Sequence, residues 1–285
     1  MRPASEAAQA SAYVPREHRV VRSAGKRDPL GLDLYEGMVQ WPLWTMLGWS
    51  DIRQRYRRST LGPFWITLST GIFILALGMI YGRLLRMETA TFLPYFAVGY
   101  IIWTFVSSAT IDACNAFLEA ERIIKQIKRP FSVYVLRVVW RSFVVFLHTA
   151  IIFLPLVIFF HVDTGFSILL AIPAFALLLL NQVWVGLVVA ILNTRFRDVL
   201  QMVTTAVQIL FFSTPIMYPV DALGDAAILA HINPVHHFVE IVRAPLLGKA
   251  PALESWLVAC GTILVGFLVA VLLFRRVERR IVYWL

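Results

Sequence analysis

Phe64–Tyr81 reads FWITLSTGIFILALGMIY and carries no charged side chain. A helix rises about 1.5 Å per residue, so a run of this length crosses most of the ~30 Å hydrocarbon core of a bilayer. It lacks the polar–apolar alternation of a membrane barrel strand, so its backbone must satisfy its own hydrogen bonds as a helix. Further runs of this kind follow at Phe92–Phe117, 133–160, Phe166–Leu192, 199–220 and Trp256–Phe274. The expected fold is an all-α integral membrane protein with six transmembrane helices.

Composition agrees. Of 285 residues, 59% are apolar and 15% charged, and the mean hydropathy is +0.72. Soluble domains run nearer half apolar and a quarter charged. Six spans of ~20 residues use about 120 positions, which leaves no room for a second soluble enzyme domain of ordinary size. The apolar content excludes a disordered chain, and two cysteines exclude a disulfide scaffold. Cys114 and Cys260 both sit in apolar runs and read as packing residues.

A net charge of +9 would suggest nucleic acid in a soluble protein. Its distribution says otherwise. Of the 26 Lys and Arg, all but Arg83, Arg86, Arg243 and Lys249 fall before span one, between spans two and three or just inside span three, after span four, or in the tail. The two sets alternate loop by loop, which predicts six spans with both termini cytoplasmic and no nucleic-acid partner.

Four segments are more than span or loop. Residues 1–32 form an Ala/Ser/Arg/Pro-rich cytoplasmic leader without a signal-peptide core. Residues 33–62 are amphipathic and carry Trp41, Trp44 and Trp49; Trp49, Ile52 and Tyr56 share one helical face, with Asp51, Arg55 and Arg58 opposite. Two readings fit: a flank that only orients span one, or an interfacial helix that also meets a partner. LEAERIIKQIKRP (Leu118–Pro130) predicts a short helix with an Ile123–Ile124–Ile127 stripe and a Glu121–Lys125 pair, stopped by Pro130. It is either a solvated turn or an element that docks into a groove of a soluble protein. In Asp221–Leu253, Asn233-Pro234 divides two short helices that lie in the outer interface or re-enter the membrane as a gate.

Much chemistry is missing. The Gly-Lys pairs Gly25-Lys26 and Gly248-Lys249 are followed by Arg and Ala, so no phosphate-binding G-x-x-x-x-G-K-[ST] exists. Hydrolase, zinc-protease and paired-cysteine metal patterns are absent too. His231, His236, His237 and Glu240 cluster, but adjacent histidines point to different helix faces and read as an interfacial polar group. Inside the spans, Asp112, Arg137, Arg141 and His148 are the polar candidates. Arg137 and Arg141 lie near a span end, where snorkelling accounts for them. One acid cannot make an ion relay, so ion-coupled transport is disfavoured. Aromatics such as Trp65, Phe73 and Tyr81 serve either as lipid anchors and packing or as faces for sugar rings in a passage.

DIRQRYRRSTLGPFW (Asp51–Trp65), running straight into span one, resembles the opening of type-2 ABC transporter permeases that export polysaccharides. The charged first cytoplasmic loop, NTRFRD (Asn193–Asp198), Asn233-Pro234 before His237-Phe238, and Leu246-Leu247-Gly248 continue the likeness over about residues 35–285. The resemblance implies a non-catalytic permease, residues 63–285, preceded by an amphipathic interface helix. It implies a homodimer with two copies of a separate ATPase subunit, which binds the ATP and Mg; this chain then needs no cofactor or metal. Glu119, Glu121, Arg122, Lys125 and Lys128 match the coupling helix, and Arg195, Arg197 and Asp198 a second ATPase contact. Arg53, Arg55, Arg57 and Arg58 match the entrance for a lipid pyrophosphate; Asn233, Pro234 and His237 match the outer gate. The cargo would be a polyprenyl-pyrophosphate-linked, O-antigen-like glycan crossing the cytoplasmic membrane among its lipids. Alternatives are a drug or lipid exporter of the same fold, or an enzyme acting on polyprenyl-linked sugars.

Overall fold

The computed structural model describes residues 30–57, 62, 64–220, 224 and 227–285. The leader up to residue 29, Arg58 and Pro63 lie outside them. Among the described residues there is no strand. Helices α1 (Leu30–Val39) and α2 (Trp41–Tyr56) precede the bundle, so the amphipathic stretch is two helices meeting at Gln40. The long elements are α3 (Phe64–Leu84), α4 (Thr89–Cys114), α7 (Ser132–Ala150) continued by α8 (Phe153–Phe160), α9 (Ala171–Arg195) and α13 (Leu253–Trp284). Between them lie α5 (Ala116–Glu119), α6 (Glu121–Gln126), α10 (Val199–Ser213), α11 (Ala227–Ile232) and α12 (Pro234–Leu246).

Five helical segments among the described residues are long and apolar enough to cross a membrane. The expected fifth span, 199–220, differs. Helix α10 has 15 residues, about 22 Å at the usual rise, short of the ~30 Å core. Its continuation Thr214–Val220 is largely irregular, yet the Tyr95 hydroxyl, near the start of α4, donates to the Pro215 carbonyl at 3.2 Å. Span three is not one straight helix either. Pro155 has no N–H for the Ile151 carbonyl, and Leu154 donates to it in a tighter turn, so α7 and α8 part at Ile151–Ile152.

The bundle has two ends. Asn193 joins the last turns of α4 and α9 at one, and a Cβ on Gly248 would run into the Asp163 backbone at the other. The first end also holds α1, α2, α5 and α6, together with most described cations, and is called the basic end below. In the interior, Phe117, Phe131, Leu187, Ala190 and Phe274 pack at the basic end, while Ile102, Phe105, Leu178, Phe238 and Ile263 fill the middle. Helix α12 therefore sinks between α4, α9 and α13 instead of lying on the surface. Cys114 is buried as expected; Cys260 is exposed on the outer side of α13, so it is not a packing residue.

Candidate functional site

Helix α7 organises the basic end. Its N-terminal amides need acceptors that no helical carbonyl supplies. Asp33 of α1 provides them: its carboxylate accepts from Phe131 N and Ser132 N, each at 2.8 Å, and Ser132 Oγ donates back to the Asp33 carbonyl at 2.7 Å. A carboxylate there also meets the positive end of the helix dipole. The approach is close enough that a Cβ on Gly37 would land on Ser132 Oγ.

One turn and two turns further along α7, Arg137 and Arg141 enter an ionic network. Arg137 forks onto Asp51 of α2, with Nε 2.7 Å from Oδ2 and Nη2 on Oδ1. Arg141 is 5% exposed. It touches three carboxylates: Asp112 of α4 at 2.9 Å, Asp51 at 3.3 Å and Glu119 of α5 at 3.5 Å. Arg55 of α2 stands 3.6 Å from Asp112. Both span arginines are thus paired across helices, which corrects the snorkelling expectation; burial without partners would cost several kcal/mol per ion. It also reverses part of the amphipathic reading of α2. Asp51, placed on the polar face, points at α7; Ile52 is buried, whereas Trp49 is about half exposed.

Arg55, Asp112 and Arg141 are among the residues that line a cavity between α3, α4 and α7. Its wall continues with Thr70, Thr104, Ser108, Ser142 and Thr149 and the rings of Phe105 and Phe146. Hydroxyls beside aromatic faces make a surface able to hold water or a polar, hydroxylated chain. The proposed passage aromatics are not among these residues: Trp65 is exposed, Phe73 stacks on Tyr100 at 4.7 Å, and Tyr81 packs near Phe92 and Phe96. Arg53 on α2 and Arg57 just past its end are exposed and are not among the cavity's lining residues.

The expected coupling helix is broken at Ala120 and ends at Gln126, and Ile127 is extended and half exposed. Only Ile124 of the isoleucine stripe is fully buried. Lys125 Nζ lies 2.6 Å from Glu121 Oε1, and that hydrogen bond holds the Glu121 carboxyl below its usual range, with Arg197 and Arg122 adding to the effect. Arg122, Lys128, Arg197 and Asp198 are exposed at this end. Arg195 stands near two rings, 5.5 Å from Phe196 and 5.4 Å from Trp284. Asn193 sits behind the loop. Its Nδ2 donates to the Cys114 carbonyl at 2.9 Å and its Oδ1 accepts from Leu200 N at 3.0 Å.

At the opposite end α11 and α12 meet at Asn233-Pro234, as the sequence predicts. Asn233 Oδ1 caps α12 by accepting from Val235 N at 3.0 Å, and its Nδ2 donates to Thr214 Oγ1 at 2.9 Å. Pro234 opens the helix where its missing N–H costs nothing. His237 is buried; Nε2 donates to the His231 carbonyl at 2.8 Å and Nδ1 faces Ser255 Oγ at 3.0 Å. No group of three metal-ligating side chains exists among the described residues. Sequence reasoning missed Arg243. It was counted as a loop cation, yet it is 1% exposed. It pairs with Glu240 at 2.6 Å, donates to the Pro215 carbonyl at 2.8 Å and lies 3.8 Å over the Tyr95 ring. The Glu240/Arg243 spacing of three was the signal available.

Comparison with known proteins agrees with this architecture. The chain is similar to the O-antigen export system permease protein RfbA of Klebsiella pneumoniae, 24% identical over 176 residues that cover 61% of this chain and 68% of the relative. It is also similar to the RfbA permease of Myxococcus xanthus, 23% identical over 192 residues, 65% of this chain and 72% of the relative. Residues 42–247, from the start of α2 to the end of α12, match the family model described as ABC-2 type transporter. The chain belongs to the ABC-2 type transporter family as a membrane permease.

Proposed function

We propose that this chain is the transmembrane subunit of an ATP-driven exporter that moves a lipid-linked, O-antigen-like polysaccharide across the cytoplasmic membrane. It works as a homodimer with two copies of a separate ATPase, which binds ATP and Mg. Both termini and the basic end face the cytoplasm, and α10 with Thr214–Val220 makes the remaining crossing.

The observation that carries this reading is that Asn193 ties the end of α9 to the end of α4, from which α5 and α6 continue. The charged, exposed residues of α6 and of the Asn193–Asp198 loop therefore lie at the same end of a chain with no phosphate-binding loop of its own. They offer a soluble ATPase a surface, and the O-antigen export permeases among the relatives supply the substrate class. The exposed Arg53 and Arg57, with Arg58, suit the pyrophosphate of a polyprenyl carrier, because guanidinium groups fork onto phosphate oxygens. Glu119, Glu121, Arg122, Lys125, Lys128, Arg195, Arg197 and Asp198 are the coupling residues in this reading, and Asn233, Pro234 and His237 form the outer gate.

The test is export in a strain lacking this chain. Lipid-linked glycan should accumulate in the inner leaflet and be cleared on re-expression together with the ATPase. Unchanged surface glycan in the deletion strain would overturn the reading.

A further inference from the structure

The cavity between α3, α4 and α7 changes in polarity along its length. On α4 its lining residues Asp112, Ser108 and Thr104 follow at intervals of four, and on α7 so do Arg141, Val145 and Thr149. Each row spans about 12 Å. Thr67 of α3 donates to the His148 carbonyl at 3.0 Å, which sets the hydroxyl end of the cavity level with the first turns of α3. The ionic end lies ~10 Å nearer the basic end, where an apolar span gives way to the headgroup layer. Arg55 and Ser108 are exposed and open the cavity to the surface, whereas Thr70, Phe105, Ser142 and Thr149 are buried and close it. The free space is about 170 Å³, several times the ~30 Å³ that one water occupies.

The charges at the ionic end cancel. Arg55, Arg137 and Arg141 face Asp51, Asp112 and Glu119, three cations against three carboxylates. A pyrophosphate would find no surplus cation there. The hydrogen-bonding capacity left over has both signs. Arg55 and Arg141 both approach Asp112 through Oδ2, which leaves Oδ1 to accept. Ser108, Thr104 and Thr149 send their protons to the Phe105, Ile101 and Val145 carbonyls of their own helices, so their oxygens present lone pairs. On the donor side, Arg141 Nε is buried with no hydrogen-bond partner among the described residues. Arg55 reaches Asp112 only at 3.6 Å, and a guanidinium with five N–H groups has donors to spare.

A group that enters must therefore donate to Asp112 Oδ1 and the hydroxyl oxygens and accept from Arg55. A primary ammonium beside a phosphate does both, and the Phe105 ring offers the ammonium a face. We propose that the cavity binds the headgroup of a phosphatidylethanolamine-type lipid from the leaflet at the basic end. The ammonium sits on Asp112 Oδ1 and Ser108 Oγ, and the phosphate on Arg55. A trimethylammonium headgroup has no N–H to give, and a headgroup that is only anionic has nothing to offer Asp112. Arg53 and Arg57 play no part in this site. The inference needs only that the chain spans a bilayer, and it goes beyond the export reading without depending on it.

The test uses the purified full-length chain, stripped of lipid and titrated with phosphatidylethanolamine in native mass spectrometry. One molecule per chain should bind saturably, about fivefold or more tighter than phosphatidylcholine or phosphatidylglycerol with the same acyl chains. Ser108→Ala and Arg55→Gln should each weaken binding about tenfold, the worth of one hydrogen bond to a charged group. The unfolding midpoint without lipid should stay in place, because both side chains are exposed. Ser108→Ala strands no charge, so it reads the site even where Arg55→Gln loosens the fold. Equal binding of phosphatidylcholine, tighter binding of phosphatidylglycerol, or parental affinity in Ser108→Ala would overturn the assignment. So would displacement of the bound lipid by a polyprenyl pyrophosphate, which would give the cavity to the cargo. The titration involves neither ATPase nor glycan, so its failure leaves the export reading standing.

Discussion

Arg141 and Arg243 are both buried arginines, at opposite ends of the same bundle, and their partners could hardly differ more. Arg243 takes one carboxylate from its own helix, one backbone carbonyl and one ring face. Each partner is close and none competes with another. Arg141 takes three carboxylates from three helices at unequal distances. The first arrangement has one good geometry; the second has several of similar quality. A buried ion pair contributes little net stability against an apolar substitute, but its single-sided loss is costly. The contrast is therefore one of mobility: the Arg243 end is built to hold its shape, and the Arg141 end to redistribute contacts.

The largest expected effect breaks the rigid side. Arg243→Ala strands Glu240, removes the ring contact with Tyr95 and takes from the Pro215 carbonyl the shorter of its two hydrogen bonds, leaving that from the Tyr95 hydroxyl. Thermal unfolding in detergent should show a loss of about 3–5 kcal/mol. Arg243→Lys should recover only part, because an ammonium cannot fork and reach the ring together.

Next comes the mobile side. Asp51→Ala leaves Arg137 without its fork and should cost about 2–3 kcal/mol, less than the full buried-pair value because both side chains keep some solvent contact. Exchanging the charges, Asp51→Arg with Arg137→Asp, should regain more than half of the loss. If the exchange regains nothing, the pair is not an independent unit and the comparison with Arg243 weakens.

A smaller effect probes how closely α2 lies on α7. A Cβ on Gly48 would stand 2.9 Å from the Trp140 ring and 3.0 Å from the Arg137 carbonyl. Gly48→Leu should overpack this contact and cost about 1–3 kcal/mol in the same unfolding experiment. A neutral outcome would mean that α2 can lift from the bundle without penalty.

The smallest effect on stability should accompany a large one on function. Glu121→Arg with Arg122→Glu alters only exposed charge, so the unfolding midpoint should not move measurably. ATP hydrolysis by the assembled complex should nevertheless lose its coupling to export. Normal export in this variant would remove α6 from the coupling surface.

How much of this was legible beforehand depends on the range of each contact. The spans follow from runs of apolar residues, and the split at Asn233-Pro234 follows from a cap and a proline side by side; both signals are local. The break at Ile151–Ile152 was also locally encoded, by Pro155, but a strongly apolar run hides one proline. The short fifth span is harder to read, because Ile216, Met217 and Val220 extend the apolar run while Pro215 and Pro219 end the helix. The Asp51–Arg137 and Asp33–Ser132 contacts join residues 86 and 99 positions apart. Nothing in a single sequence pairs them, because many acids and bases on the same side of a membrane could meet. Arg243 misled for a different reason. Cations outside the spans normally face water, and this one is buried only because α12 sinks among the longer helices.

Asn193 sets a limit of another kind. By holding the Cys114 carbonyl and the Leu200 amide together, it fixes the rotational phase of α10 relative to α4. One extra residue between positions 194 and 199 would turn α10 by about 100° about its axis. Phe211 would then swing away from Tyr100 and Trp103, the rings it now meets at 6.1 and 5.6 Å. The loop therefore behaves as a gear of set tooth number: the phase of α10 depends on its length.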